Sequence, residues 1–364
     1  SQPNQQVRIE IKPVDPFWGF LYHSEHSSNG HTQHTCVASK GSQEQVQIKR
    51  LHICTWDMQG AKYFTEYGLE ISRGSLNTLD LSIALPEIAT REDCICLYPN
   101  VSEGNNCRFI FNSDIQWIGP IDGNPKRGVN VTLCCDRTIT LLPLGDSIQV
   151  KDKILYIELD IPQQAKDVIY IRFLIRSKNP AFSFVKKEIS TKIINYDVRV
   201  NECRTASLSV QKIQQKGYKV IPIEKCFCFH IIPNTYTVDF LDHNKLKTIR
   251  SLEAAEFNAY LEKIKEAEKI KLEPREYNIV FCKQERLPNY SFFSVYRKEY
   301  IGNSQLILAL GANLLCSLLF ALGGLRAQTV DPDTPFLCRI PGEYWVAFGV
   351  FVALLVGYFW KRRK

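Results

Sequence analysis

The pattern of apolar and polar positions changes character twice along the chain. Over residues 1–235 it alternates. In "VRIEIK", Val7, Ile9 and Ile11 fall on one side and Arg8, Glu10 and Lys12 on the other, the period-two signature of a half-buried strand. Runs of the same kind follow: "QVQIKRLHI", "LDLSIAL", "DCICLY", "CRFIF", "VNVTLCC", "RTITLL", "KILYIELDI", "DVIYIRFLI" and "YDVRVNEC". Turn-forming stretches such as "EGNN", "DGNPKRG", "LGDS" and "KNP" separate them, and each supplies the Gly, Pro, Asn or Asp that a tight turn requires. This predicts a mainly β chain, with one or two antiparallel sandwich or barrel units and no βαβ repeat. The segment 119–128, "GPIDGNPKRG", is the best linker by composition. The predicted units are therefore 1–125 and 126–240.

From 241 to 303 the pattern is mixed. "SLEAAEFNAYLEKIKEAEKIKL" (251–272) places Leu252, Phe257, Tyr260, Leu261, Ile264 and Leu272 along one side of a helix. Ser251 is the expected cap and Pro274 the expected stop. A strand, "YNIVFC" (277–282), and the aromatic run "YSFFSVYRKEY" follow. These read as a membrane-proximal coupling segment.

Beyond 303 the alternation disappears. Residues 304–325, "SQLILALGANLLCSLLFALGGL", contain no charge. As a helix they would reach about 33 Å, against roughly 30 Å of hydrocarbon in a bilayer. Residues 344–360, "YWVAFGVFVALLVGYFW", are uncharged too and carry aromatics at both ends, where interfacial anchors sit. Between them lies "RAQTVDPDTPFLCRIPGE". The prediction is a two-helix transmembrane hairpin over 304–360, closed by a basic tail of Lys361, Arg362, Arg363 and Lys364. Arg297 and Lys298 precede the first span, and the connecting loop holds Arg326 and Arg339. Positive-inside logic places both termini in the cytosol of a two-pass cell-membrane protein. Asn313 falls mid-span, where an amide requires a protein or water partner. Gly311, Gly323 and Gly324 permit close helix approach, so a homo-oligomer in the bilayer is expected.

Charge adds little beyond the tail. The chain of 364 residues has a net charge of +7, four units of it in the last four residues. No concentrated basic face points to nucleic acid. Apolar residues make up 45% of the chain, which argues for a folded body. The first ten residues lack the basic and apolar regions of a signal peptide. Thirteen cysteines, an odd number, suit a reducing compartment.

Candidate chemistry is sparse. "HSEHSSNGHTQHTC" gathers His23, His26, His31, His34 and Cys36 in a Ser- and Asn-rich loop, with ligand types and spacings that zinc accepts. In "KCFCFHII", Cys226, Cys228 and His230 alternate onto one strand face. With Cys203 or Cys282 beside them they would complete a tetrahedral zinc site. The same run also reads as a plain buried strand, with cysteine acting as a small apolar residue. Glu158 and Asp160 alternate in "YIELDIP", which a solvated strand face explains as well as a catalytic pair. Phosphate-loop, dinucleotide, serine-hydrolase and zinc-protease motifs are absent. No cofactor is called for.

A β-rich cytosolic module followed by a membrane hairpin resembles, in layout, the membrane effectors of bacterial defence systems, in which a soluble sensor controls a small membrane region. The layout also resembles two-helix magnesium channels, but their Gly-Met-Asn loop is missing, since Met58 is the only methionine. The resemblance implies a non-enzymatic sensor or effector. Its β region would bind a ligand or protein partner, and its oligomerised hairpins would form or disrupt a membrane pathway, such as an ion channel in antiviral defence. A passive membrane-tethered scaffold, or an enzyme with an unrecognised site in the β region, are the other readings.

Overall fold

The computed structural model describes residues 35–40, 46–56, 63–145, 148–187, 191–202, 208–262, 264, 276–299, 303–327, 340–349 and 352. The chain runs through β1 (Cys36–Ser39), β2 (Gln47–Trp56), β3 (Tyr63–Ser72), β4 (Thr78–Ala84) and β5 (Cys94–Cys96). Two short helices follow, α1 (Tyr98–Val101) and α2 (Gly104–Phe111). Next come β6 (Ile115–Pro120), β7 (Val129–Leu133), β8 (Arg137–Leu141), β9 (Gln149–Lys151), β10 (Ile154–Asp160) and β11 (Val168–Ser177). Then follow β12 (Ser183–Lys187), β13 (Thr191–Val200), helix α3 (Leu208–Gln215), β14 (Lys219–Val220), β15 (Ile223–Pro233), β16 (Thr237–Leu241) and β17 (Leu246–Ser251). The order ends with α4 (Ala254–Leu261), β18 (Tyr277–Glu285), β19 (Tyr290–Glu299) and α5 (Asn303–Ala327).

The chain is mainly β, as its alternation predicts, and the strands form three sheets. A ten-stranded sheet runs β17-β18-β15-β2-β3-β11-β8-β7-β6, with β5 also on β11. A five-stranded sheet runs β14-β1-β4-β10-β9, and a four-stranded sheet runs β12-β13-β19-β16. Most pairs are antiparallel, but β2 lies parallel to β15 and β8 parallel to β11. Strands from residues 47–72 thus bond directly to strands from 223–285. The segment 119–128 joins β6 to β7, which pair antiparallel, so it serves as a hairpin connection rather than a linker.

One face of the long sheet packs on both smaller sheets. Leu69 and Ile71 of β3, Ile171 and Phe173 of β11, Leu81 and Ile83 of β4, and Val198 and Tyr296 of the four-stranded sheet share this core. The opposite face carries α1, α2 and α4, through Leu97, Val101, Cys107, Phe257 and Tyr260 against Trp56, Tyr170 and Leu174. Helix α3 covers the outer side of the five-stranded sheet with Val210 and Ile213. β3 and β11 are therefore buried on both faces, which explains why their sequences are near-continuously apolar.

Two expectations change here. Ser251 ends β17, paired with Asn278, and does not cap the helix. Helix α4 begins three residues later behind Glu253, which makes no side-chain capping bond. Residues 263 and 265–275, the rest of the predicted helix, lie outside the described residues, as does "VRIEIK".

Helix α5 has 25 residues, and residues 342–349 form a second helical stretch. Among the described residues no helix is long and apolar enough to cross a membrane. The part of α5 whose side chains are described, 309–325, would span only about 26 Å.

Candidate functional site

The largest polar cluster lies under the helices, on the face of the long sheet opposite the main core. Alternation brings Glu66, Gly68 and Glu70 of β3 to that face. Register places Glu70 across from Tyr170, and Gly68 across from Arg172, on β11. Glu66 is 1% exposed and Arg172 8%. Arg172 donates from Nε to Glu66 Oε2 at 2.7 Å, and its Nη2 bonds the same oxygen. Its Nη1 donates to Tyr170 Oη at 3.0 Å. Tyr260 of α4 donates its hydroxyl to Glu66 Oε2 at 3.0 Å and accepts from Arg172 Nε at 3.2 Å. A charged group this deep is tolerated only when paired and hydrogen-bonded. Gly68 makes the arrangement fit, because a Cβ there would overlap the Tyr170 hydroxyl.

Burial pushes the Glu66 carboxyl up against the opposing pull of Arg172. Burial alone would lower Arg172, and the Glu66 carboxylate beside it more than reverses this, so the guanidinium stays charged. Glu66 Oε1 is buried and meets no hydrogen-bond partner among the described residues. Nearer the surface, Arg137 bonds Glu70, and Arg50 Nε lies 3.6 Å from the same carboxylate. Half-buried His52 approaches Tyr170 Oη through Nδ1 at 3.4 Å. Burial, then Arg172, Arg50 and Arg137, lower its pKa to about 3, so it is neutral at physiological pH. Its ring packs edge-on against Phe227 at 5.0 Å. The cluster thus holds no acid or base poised near neutrality. Its clearest physical effect is to lock α4 onto the sheet.

Sequence reasoning missed these residues. The readable signal is a lone Arg in "VIYIRFLI" and two lone acids in "FTEYGLEI", each breaking an otherwise apolar strand.

The predicted Cys226, Cys228 and His230 do share a buried face of β15. They point into the main core, and Cys282 of β18 stands directly opposite Cys228. His230 Nδ1 lies 2.9 Å from Tyr296 Oη, which in turn accepts from Ser294 Oγ at 3.1 Å. Its Nε2 lies 3.4 Å from Cys228 Sγ. A chain of hydroxyl donors ending at Nδ1 leaves the proton on Nε2, directed at the sulfur. Burial lowers His230 to about 3 and pushes the Cys228 thiol well up. A neutral imidazole suits a metal, but a thiol held protonated does not. Among the described residues no group of three or more His, Cys, Asp or Glu is placed to hold a metal ion. Cys36 is buried at the start of β1. His23, His26, His31 and His34 lie outside the described residues. The ten cysteines whose side chains are described are free thiols.

A smaller cluster joins Tyr67 of β3 to Glu87. The Tyr67 hydroxyl donates to Glu87 Oε1 at 2.6 Å and lies 3.5 Å from Thr35 Oγ1. Burial raises the Glu87 carboxyl to about 7, with the Tyr67 hydrogen bond opposing. At the surface, a depression of about 450 Å³ is lined by Asp242, Lys245, Lys247, Lys283 and Glu285.

In α5, Asn313 and Gly311 are exposed. Gly323 is buried against the second helical stretch, and a Cβ there would lie 2.7 Å from the Tyr344 ring. Gly323 thus serves approach within the hairpin, and Gly324 has only the Tyr344 hydroxyl nearby, at 3.9 Å. Lys361, Arg362, Arg363 and Lys364 lie outside the described residues.

No protein-family model matches the chain, and no curated protein matches it. Two solved structures bear a weak likeness. A homology model of the full-length AP-3 complex in a stretched open conformation is 6% identical, over 75% of this chain and 55% of that one, at a TM-score of 0.22. The Capitella teleta AChBP in complex with lobeline is 7% identical, over 73% of this chain and 85% of that one, at 0.12. The chain thus spans about half the length of the first of these. At these scores neither likeness bears on fold or activity.

Proposed function

We propose that the chain is a membrane-anchored, non-enzymatic sensor or effector. Its β-rich body binds a ligand or partner, and its two C-terminal helical segments insert in a bilayer, oligomerise, and form or disrupt a membrane pathway. The observation that carries this reading is α5. Leu310, Leu314, Leu315, Leu318, Phe320, Leu322 and Leu325 are all exposed, Leu314 by 75%. At 100° per residue they spread over most of the helix circumference. Trp345, Val346 and Phe348 of the second stretch are exposed as well. An apolar surface this continuous requires lipid or protein cover. The full 25 residues would reach about 37 Å, enough for a hydrocarbon core. Charge asymmetry favours both termini in the cytosol. The layout likeness to defence effectors supports the pathway half alone.

The test is alkaline extraction of membranes from cells expressing the full chain, followed by dye or ion flux from liposomes holding the purified protein. Retention in the pellet together with flux is the expected outcome. Release by alkali would end the membrane reading. Retention without flux would favour a passive tethered scaffold. For the enzyme alternative, a hydrolase and nuclease screen is the check, since the buried thiols are held protonated and make poor nucleophiles.

A further inference from the structure

Three adjacent strands of the four-stranded sheet place a lysine on the same rung. Lys187 of β12 stands opposite Lys192 of β13, and Lys192 stands opposite Lys298 of β19. Cross-strand partners project from the same face, roughly 5 Å apart at Cβ, and like charges placed this way destabilise a ladder. The neighbouring rungs do not offset them. Arg297 and Glu299, one residue to either side of Lys298, alternate onto the opposite face, where Arg297 meets Asp239 at 2.6 Å. On the lysine face the Tyr236 ring receives both Lys192 Nζ, at 5.4 Å from its centroid, and Lys298 Nζ, at 5.8 Å. The ring gathers two ammonium groups and neutralises neither. Such a rung is stable beside an anion.

Its position suggests which anion. Lys298 precedes the first residue of α5, Asn303, by five positions, at most about 17 Å of chain. The row therefore lies at headgroup depth if α5 enters a bilayer. We propose that Lys187, Lys192 and Lys298 bind the phosphate of anionic phospholipid headgroups and dock the end of the four-stranded sheet on the membrane. That the phosphate belongs to a lipid rests on the membrane reading above. That the rung takes a phosphate-class anion does not.

The test uses the purified full chain in neutral detergent micelles. Phosphatidylglycerol is titrated in while the unfolding midpoint of the β body is followed. Phosphatidylcholine and inorganic phosphate are titrated separately. A lysine near an anionic surface is worth about fivefold in affinity, so three together give about a hundredfold. The wild-type midpoint should rise with phosphatidylglycerol, and the K187Q/K192Q/K298Q variant should need about a hundredfold more lipid. Without lipid the variant should unfold at or above the wild-type midpoint, since its like-charge rung is gone. Equal responses of variant and wild type would overturn the proposal. A response to inorganic phosphate as strong as that to the lipid would overturn the lipid assignment. Alkaline extraction, run in parallel, reports on the anchor independently: a chain released by alkali that still shows the lysine-dependent response would leave the row standing and remove the span.

Discussion

Replacing Arg172 by Met tests whether the buried cluster under α4 is an ion pair that the fold depends on. Methionine keeps much of the side-chain volume but removes every donor to Glu66 Oε2 from β11, along with the bond to Tyr170. Glu66 remains at 1% exposure with one donor, the Tyr260 hydroxyl. Breaking one side of a buried pair costs about 3–5 kcal/mol, because the other charge is left uncompensated. That is a large share of the 5–15 kcal/mol that typically holds a domain together. Replacing both partners, Glu66→Leu with Arg172→Met, removes the orphaned charge and should recover most of the loss.

The pH dependence separates this account from simple loss of packing. Burial already raises the Glu66 carboxyl, and losing Arg172 raises it further. An acid with a raised folded-state pKa takes up a proton on folding. Its cost is therefore absent below the unfolded value, about 4.3, and grows as pH rises toward the folded value. The Arg172→Met penalty should shrink between pH 7 and pH 5, and this recovery should vanish in Glu66→Gln/Arg172→Met. Denaturant unfolding of the full chain in detergent, followed by tryptophan fluorescence, measures both effects. A loss below about 1 kcal/mol, or one equal at both pH values, would refute the reasoning.

Glu87→Gln should flatten stability against pH. The folded carboxyl titrates near 7 against a usual 4.5, so wild type loses about 2 kcal/mol as pH rises through that window, after allowance for partial exposure; thermal melts at pH 5 and 7.5 check it. Gly68→Ala should cost about 1–3 kcal/mol by overpacking, since its Cβ would displace the Tyr170 hydroxyl, and the same denaturant curves report it. Asn313→Leu should leave the β body's melting unchanged while reducing oligomer size by light scattering or flux from liposomes; unchanged size and flux would remove Asn313 from any pathway.

Period-two alternation located most of the described strands, because one face of each meets the core and the other does not. It could not show which strands pair. "QVQIKRLHI" and "KCFCFHII" look alike as half-buried strands, yet they lie side by side and parallel, a relation that no local pattern encodes. Composition misplaced the linker for a related reason: Gly, Pro and Asn mark a hairpin turn as strongly as a boundary. Ser251 read as a cap because Ser suits both caps and strand ends. The Cys226, Cys228 and His230 face was legible, but its partners Tyr296 and Ser294 come from 64 or more residues away. Glu66 and Arg172 are separated by 106 residues; each was visible as an oddity in its own strand, and only tertiary pairing makes them a unit.

The parallel pairing of β2 with β15 also sets a timetable for synthesis. Ile53 waits for Cys228, 175 residues further along the chain. At 5–20 residues per second, translation takes roughly 9–35 s to supply that partner. Through that interval β2 presents one open edge, with its unpaired N–H and C=O groups available to any other strand. Non-local pairing of this kind slows folding. A nascent chain of this protein therefore depends on edge protection during translation, and expression slowed before residue 233 should shift product from folded protein to aggregate.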